Sequence, residues 1–199
     1  ILKATHLKHH AHTNDPDNDP DFFHGNAKNW WEAAVNVNVS YDDDGPALKA
    51  IQKHVEEDPK FKEALEKGGA WALLFYFAQI ILAVLYPLET LFLWWIPKRV
   101  ATSYLGIVFS YFPHSGLGKG RYTDTRFWTN KMPRFLNHSM QIHSMHHMYP
   151  RICHYDEARA IEALKPFMIE RGMPGAEYIP EKLRWNPVTY IKEVYFGGR

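Results

Sequence analysis

The sequence has a single cysteine, Cys153, among 199 residues. One thiol excludes an internal disulfide framework and any zinc or iron–sulfur site built from thiolates, and it is consistent with a reducing compartment. The chain also lacks an excess of either charge, because 23 basic and 22 acidic side chains leave a formal net charge of +1. Since no broad positive field is available to grip a phosphate backbone, we expect no nucleic-acid partner.

Motifs for nucleophilic catalysis and phosphate binding are missing as well. The serines lie outside any GxSxG motif, and GLGKG at residues 116–120 does not match the phosphate-binding loop pattern. Histidine, present 12 times, is then the residue type left to carry metal chemistry. We therefore expect no catalytic residue beyond metal ligands.

A long apolar segment dominates the middle of the chain. Residues 70–86 contain no charged side chain, and the apolar character continues to Phe112. A helix that crosses a bilayer needs about 20 apolar residues, so this segment predicts two crossings, one over residues 69–86 and one from near Pro87 to Phe112. The alternative is a buried hairpin in a soluble protein, but the rest of the chain has too little apolar sequence to cover it. Three charged residues interrupt the segment: Glu89, Lys98 and Arg99.

Basic residues flank this apolar pair on both sides, which predicts that both flanks lie in the cytoplasm. Two crossings return the chain to the side it left. The histidine-rich segments before and after the pair are therefore expected on one membrane face. The flanking residues are Lys60, Lys62 and Lys67 before the pair, and Lys119, Arg121, Arg126, Lys131 and Arg134 after it.

Two histidine clusters share the pattern HxxHH. On a helix, spacings of three and four residues place side chains on one face, so each cluster forms a claw of three nitrogens. One copy alone could be a surface patch, whereas two copies outside an apolar pair favour metal binding. Together they offer more nitrogens than one tetrahedral zinc needs, and this predicts a site for two metals. The clusters are HLKHH, with His6, His9 and His10, and HSMHH, with His143, His146 and His147.

The other histidines have weaker patterns. His114, at the end of the second predicted crossing, is interpreted as a further ligand. His12 lies off the face of its cluster unless the helix has ended, and His138 is equally consistent with a ligand and a spacer. Three histidines lack a partner at ligand spacing and are expected to be structural: His24, His54 and His154.

Two stretches separate the first cluster from the apolar pair. Pro16 and Pro20 predict that the first helix ends in an ordered polar loop. Residues 47–67, rich in lysine and glutamate, predict one or two helices that face solvent or the membrane interface.

The motifs HLKHHAHTNDPDNDP, PHSGLGKGRYTDTR and HSMHHMYPRICHY, in this order around an apolar pair, resemble the membrane fatty-acid desaturase/hydroxylase superfamily. Within it, the closest likeness is to β-carotene hydroxylases of the desaturase type, and the resemblance covers most of residues 5–155. It implies an all-α integral membrane protein with a transmembrane hairpin and a cytoplasmic, histidine-rich helical cap.

The resemblance also implies a non-haem centre of two iron ions, held almost wholly by histidine, with O2 as co-substrate. The first cluster matches the family's second histidine box, the second cluster matches the third box, and His114 matches the extra ligand. The first box, HxxxH, has no counterpart here. We therefore expect residues 1–199 to be part of a single desaturase-like domain whose upstream helices precede Ile1, and to be inactive alone.

Three carboxylates are candidates to orient the ligand imidazoles by accepting their second N–H, which would raise the basicity of the ligands. The alternative is that these aspartates form Asx turns with the prolines. The candidates are Asp15, Asp19 and Asp156.

The expected function is O2-dependent oxidation of a long apolar lipid that enters from the bilayer, either hydroxylation of a carotenoid ring or desaturation of a fatty acyl chain. An external donor, ferredoxin-like or cytochrome-like, would supply electrons. Arg121 and Arg126 could bind that donor or lipid headgroups, although topology alone also explains basic residues there. The alternative from another class is a non-catalytic membrane protein that stores or transports zinc; a soluble histidine-metal hydrolase is a third.

Overall fold

A computed structural model describes residues 1–40, 44–127 and 140–179, and every regular element in these ranges is a helix. This confirms the predicted all-α class. The chain forms two compact units, residues 1–107 and residues 108–199.

The first unit begins with four helices whose ends follow from local sequence. Asn29 caps the third helix by accepting a hydrogen bond from the Glu32 amide. Pro46 is the first residue of the fourth helix, where the backbone amide has no partner within the helix and its absence does not destabilise the helix. The helices are α1 (Leu2–His12), α2 (Phe22–Gly25), α3 (Trp30–Val39) and α4 (Pro46–Glu57).

The next helix, α5 (Pro59–Leu85), is the one helix among the described residues that is long and apolar enough to cross a membrane. It begins ten residues before the predicted start at residue 69, because Asp58 caps it through the amides of Lys60 and Phe61. Its first turns therefore continue the amphipathic stretch. From Trp71 onward its large apolar side chains are exposed.

The second apolar segment is helical from Pro87 to His114 but alternates between α and π geometry. Each π-helical turn ends two residues before a proline, Pro97 or Pro113. A proline inside a helix donates no backbone hydrogen bond and clashes with the carbonyl four residues earlier, so a widened turn accommodates it. The segments are α6 (Pro87–Thr90), a π turn (Leu91–Trp95), α7 (Ile96–Leu105), a π turn (Gly106–Tyr111) and α8 (Phe112–His114). A second crossing stays a prediction.

The second unit packs around a small core that includes Met145, Ile161 and Met168, each fully buried. Met145 lies inside the second histidine cluster, so the core fixes one face of that helix and leaves the other to the histidines. The helices are a 3-10 turn (Met140–Ile142), α9 (His143–Met148), α10 (His154–Glu170) and a second 3-10 turn (Ala176–Tyr178).

Candidate metal centre

The first histidine cluster lies at the carboxyl end of α1. The ring centroids of His6 and His10 are 4.5 Å apart with planes at 84°, and those of His6 and His9 are 5.8 Å apart with planes at 24°. The helix ends at His12, and the next residue, Thr13, has an extended ψ of 128°. Asn14 then takes a left-handed φ of 61°, which turns the chain back toward α1.

The second cluster, in α9, repeats this arrangement. The rings of His143 and His147 are 4.7 Å apart with planes at 75°, and the rings of His143 and His146 are 5.4 Å apart with planes at 26°. The same i, i+3, i+4 spacing on a helix therefore produces the same claw in both units.

Each claw brings two Nε2 atoms together at a distance that suits a metal ion. The Nε2 atoms of His6 and His10 are 3.0 Å apart, and those of His143 and His147 are 3.1 Å apart. An N–H···N hydrogen bond between the two rings gives this distance. Two imidazoles that bind one ion at a right angle give the same distance, because metal–nitrogen bonds of about 2.1 Å then place the two nitrogens about 3.0 Å apart.

His114 joins the second cluster within its own unit. Its ring centroid is 4.7 Å from that of His147 and 5.7 Å from that of His143. The His114 Nδ1–H donates to the Asp124 carbonyl at 3.1 Å, which leaves the lone pair on Nε2. A backbone acceptor thus fixes the tautomer of this buried histidine.

Asp19 fixes the tautomer of His9 in the same way. The His9 Nδ1–H donates to Asp19 Oδ1 at 2.8 Å, and both side chains are buried. The Asp19 carboxylate also accepts the amide of Asp21 at 2.8 Å and the amide of Asn14 at 2.9 Å. The loop after α1 is therefore folded around this one carboxylate, and the His9 lone pair is on Nε2.

The other two candidate carboxylates have different contacts. Asp15 accepts hydrogen bonds from the Asp17 backbone amide at 3.0 Å and from the Asn18 side-chain amide at 3.1 Å. The first of these bonds forms an Asx turn, as the alternative interpretation of the aspartates predicts. Asp156 lies in the first turn of α10, 3.9 Å from Arg159. Asp19 thus accepts a hydrogen bond from a predicted ligand, His9.

Burial favours the neutral form of His6 in the first cluster. Loss of solvent, followed by the nearby His9, lowers the pKa of His6 below the usual histidine value. A neutral imidazole has the lone pair that a metal ion requires.

Three histidines outside the clusters take structural positions. The His54 Nε2–H donates to the Asn18 carbonyl at 2.7 Å. The His12 ring lies 5.0 Å from the His54 ring. His24 is buried on α2 with Nε2 3.6 Å from Asp21 Oδ1, and burial lowers its pKa. The spacing of three residues between Asp21 and His24 could have indicated this contact, because Asp21 directly precedes α2.

The structure describes some of the basic residues that follow the apolar segment. The Arg126 side chain donates to the Ser115 carbonyl, and the Arg121 guanidinium lies 5.7 Å from the centroid of the Tyr122 ring. Lys131, Arg134, His138 and the side chain of His154 lie outside the described residues.

The sequence model of the fatty acid desaturase family matches residues 2–178. The chain therefore belongs to the fatty acid desaturase family. That membership supports an oxidoreductase of the desaturase/hydroxylase type in a membrane-bound family, with histidine clusters that could bind metal. Neither the search of curated proteins nor the search of solved structures found a match.

Proposed function

We propose that this chain carries most of the site of a membrane non-haem di-iron oxygenase that uses O2 to hydroxylate a carotenoid ring. Desaturation of a fatty acyl chain is the second reaction that the family supports. We favour the carotenoid ring because NDPDNDP after the first cluster and YPRI after the second resemble that branch.

The observation that carries the proposal is the separation of the paired Nε2 atoms, 3.0 Å in one claw and 3.1 Å in the other. This separation is compatible with one ion held by both histidines of a claw. We favour iron over the zinc-storage alternative because the chain belongs to the fatty acid desaturase family.

Seven histidines would hold the iron ions. When bound, two irons would supply the activation of O2 that breaks an unactivated C–H bond, which no side chain can do. The protein contributes orientation: Asp19 and the Asp124 carbonyl each accept the Nδ1–H of a ligand and direct its Nε2 lone pair to the metal. The ligands are His6, His9, His10, His114, His143, His146 and His147.

The substrate reaches the site from the bilayer in this proposal. The exposed apolar surface of α5 suits lipid rather than water. We place the histidine clusters on the cytoplasmic face, where a ferredoxin-like or cytochrome-like protein delivers electrons. Arg121 and Arg126 are candidates for the contact with that acidic donor or with lipid headgroups.

The test is expression of the protein, with any upstream sequence that its gene encodes, in a host that accumulates β-carotene. Pigment and acyl-chain analysis should show a hydroxylated carotenoid, and the purified protein should contain two irons per chain. His146→Ala should abolish both readouts, whereas His12→Ala, a matched change outside the clusters, should leave both. New double bonds in acyl chains would replace carotenoid by fatty acid as the substrate, and bound zinc without any oxidised product would refute the oxygenase.

A further inference from the structure

One face of α3 is apolar and is not covered by the residues that the structure describes. Trp31, Val35 and Val39 follow one another at intervals of four residues, and their side chains are 65%, 48% and 44% exposed. Trp30 lies beside them and is also exposed. Residues spaced by four share a helix face, so these side chains form one stripe along the whole of α3.

The side of α3 next to this stripe is fixed to α7 by polar contacts. The Asn38 side-chain amide donates to Ser103 Oγ at 2.9 Å, and Ser103 Oγ donates to the Ala34 carbonyl at 3.0 Å. Arg99 donates to the Asn38 carbonyl at 3.1 Å. A Cβ at Gly106 would overlap the Val37 side chain, so the helix packs closely. These contacts prevent α3 from turning its stripe inward.

The neighbouring helix α4 shows what a water-facing surface of this unit contains. Its exposed side chains include Lys49, Gln52, Glu56 and Glu57, which are charged or polar. By contrast, α3 has one charged residue, Glu32, and that carboxylate accepts the Lys28 amide at the start of the helix. The exposed faces of the two helices therefore suit different surroundings.

We propose that α3 lies at the boundary between lipid headgroups and acyl chains, with Trp30, Trp31, Val35 and Val39 in contact with lipid. The stripe continues an apolar surface, because α7, to which α3 is fixed, exposes 65% of Val100. Tryptophan prefers this boundary, and short amphipathic helices lie in it with their apolar face toward the acyl chains. The inference is independent of the proposed reaction.

A second copy of the chain is the rival occupant of the stripe. A stable interface buries about 800 Å² on each partner, usually from 20–30 residues. Four side chains on a helix of 10 residues are too few for that area. A lipid surface has no such minimum, because each buried apolar group adds to the partition free energy.

The test places an environment-sensitive NBD label on α3 in the complete protein. Cys153→Ser removes the one thiol of residues 1–199, any cysteine outside them is likewise replaced by serine, and Val35→Cys or the matched control Gln52→Cys on α4 then takes the label. The protein is reconstituted in vesicles of phosphatidylcholine and phosphatidylglycerol. Doxyl-labelled phosphatidylcholine should quench the Val35 label several-fold more than the Gln52 label, and aqueous iodide should show the reverse order.

Iodide quenching at Val35 equal to that at Gln52 would overturn the proposal. Protection of Val35 from both quenchers, with self-quenching that increases as the ratio of protein to lipid rises, would also overturn it in favour of a contact between copies. If Val35→Cys does not fold, Val39→Cys on the same stripe gives the same comparison.

Discussion

Replacement of Asp19 by alanine should destabilise the loop after α1 more than any other change in that loop. The carboxylate accepts three hydrogen bonds, from the His9 ring and from the amides of Asn14 and Asp21, at 2.8–2.9 Å. Its side chain and that of His9 are almost completely buried. Removal of a buried acceptor costs about 1–3 kcal/mol for each donor that loses it.

Because the three donors are close together and can share a water, we expect a total loss of about 3–5 kcal/mol rather than the full sum. For a protein of 150–250 residues, 1 kcal/mol lowers Tm by about 2–4 °C, so Tm should fall by about 10 °C. Asp19→Asn keeps one carbonyl acceptor, and its effect should be about half as large.

The measurement is thermal unfolding of the metal-free protein in detergent, followed by tryptophan fluorescence. Asp17→Ala is the matched control, because Asp17 is an exposed aspartate of the same loop and its substitution should change stability by no more than about 0.5 kcal/mol. If Asp19→Ala and Asp17→Ala unfold at the same temperature, the loop is not organised by Asp19. A separate iron titration should show about 10–100-fold weaker binding for Asp19→Ala, because the orientation of His9 is lost.

Three further changes test other parts of the structure. His54→Ala removes a buried ring and the donor to a backbone carbonyl, so it should cost about 2 kcal/mol in thermal unfolding while iron per folded chain stays unchanged; loss of iron from folded protein would make His54 more than structural. The hydrogen bond from Lys8 lowers the pKa of Asp58, so its contribution to stability is present above the ordinary aspartate pKa, about 3.9, and is lost as pH falls through the lowered value. The Tm difference between native protein and Asp58→Asn should accordingly shrink from pH 7 to pH 3, and a constant difference would contradict that origin. Gly175→Ala should cost more than Gly172→Ala, since both glycines have positive φ but a Cβ at Gly175 alone would meet a backbone carbonyl; equal Tm values would contradict the clash.

The parts of the fold that depend on local sequence were predictable. The spacing of His143, His146 and His147 fixes their common face once the segment is helical, and the structure shows that face. The apolar run similarly predicted α5, although not that Asp58 would start it ten residues earlier. Local signals are enough here because the contacts lie within four residues of one another.

Contacts between distant residues were not predictable in the same way. Asp19 was one of three candidate carboxylates, and the choice depends on the left-handed turn at Asn14, which the sequence does not specify. The contact from His54 to the Asn18 carbonyl spans 36 residues, so no spacing rule detects it. The apolar run from near Pro87 to Phe112 predicted one helix but not its π turns, because propensity alone does not distinguish a π turn from an end of the helix.

His9 and His10 lie in the last turn of α1, and His146 and His147 lie in the last turn of α9. The carboxyl end of a helix has a partial negative charge of about half an electron, which arises from its unpaired carbonyl groups. A cation bound by neutral imidazoles at such an end is stabilised by the backbone itself, without a carboxylate among its direct ligands. The direction in which the chain runs through these two helices thus makes these four positions favourable for cations and unfavourable for anions.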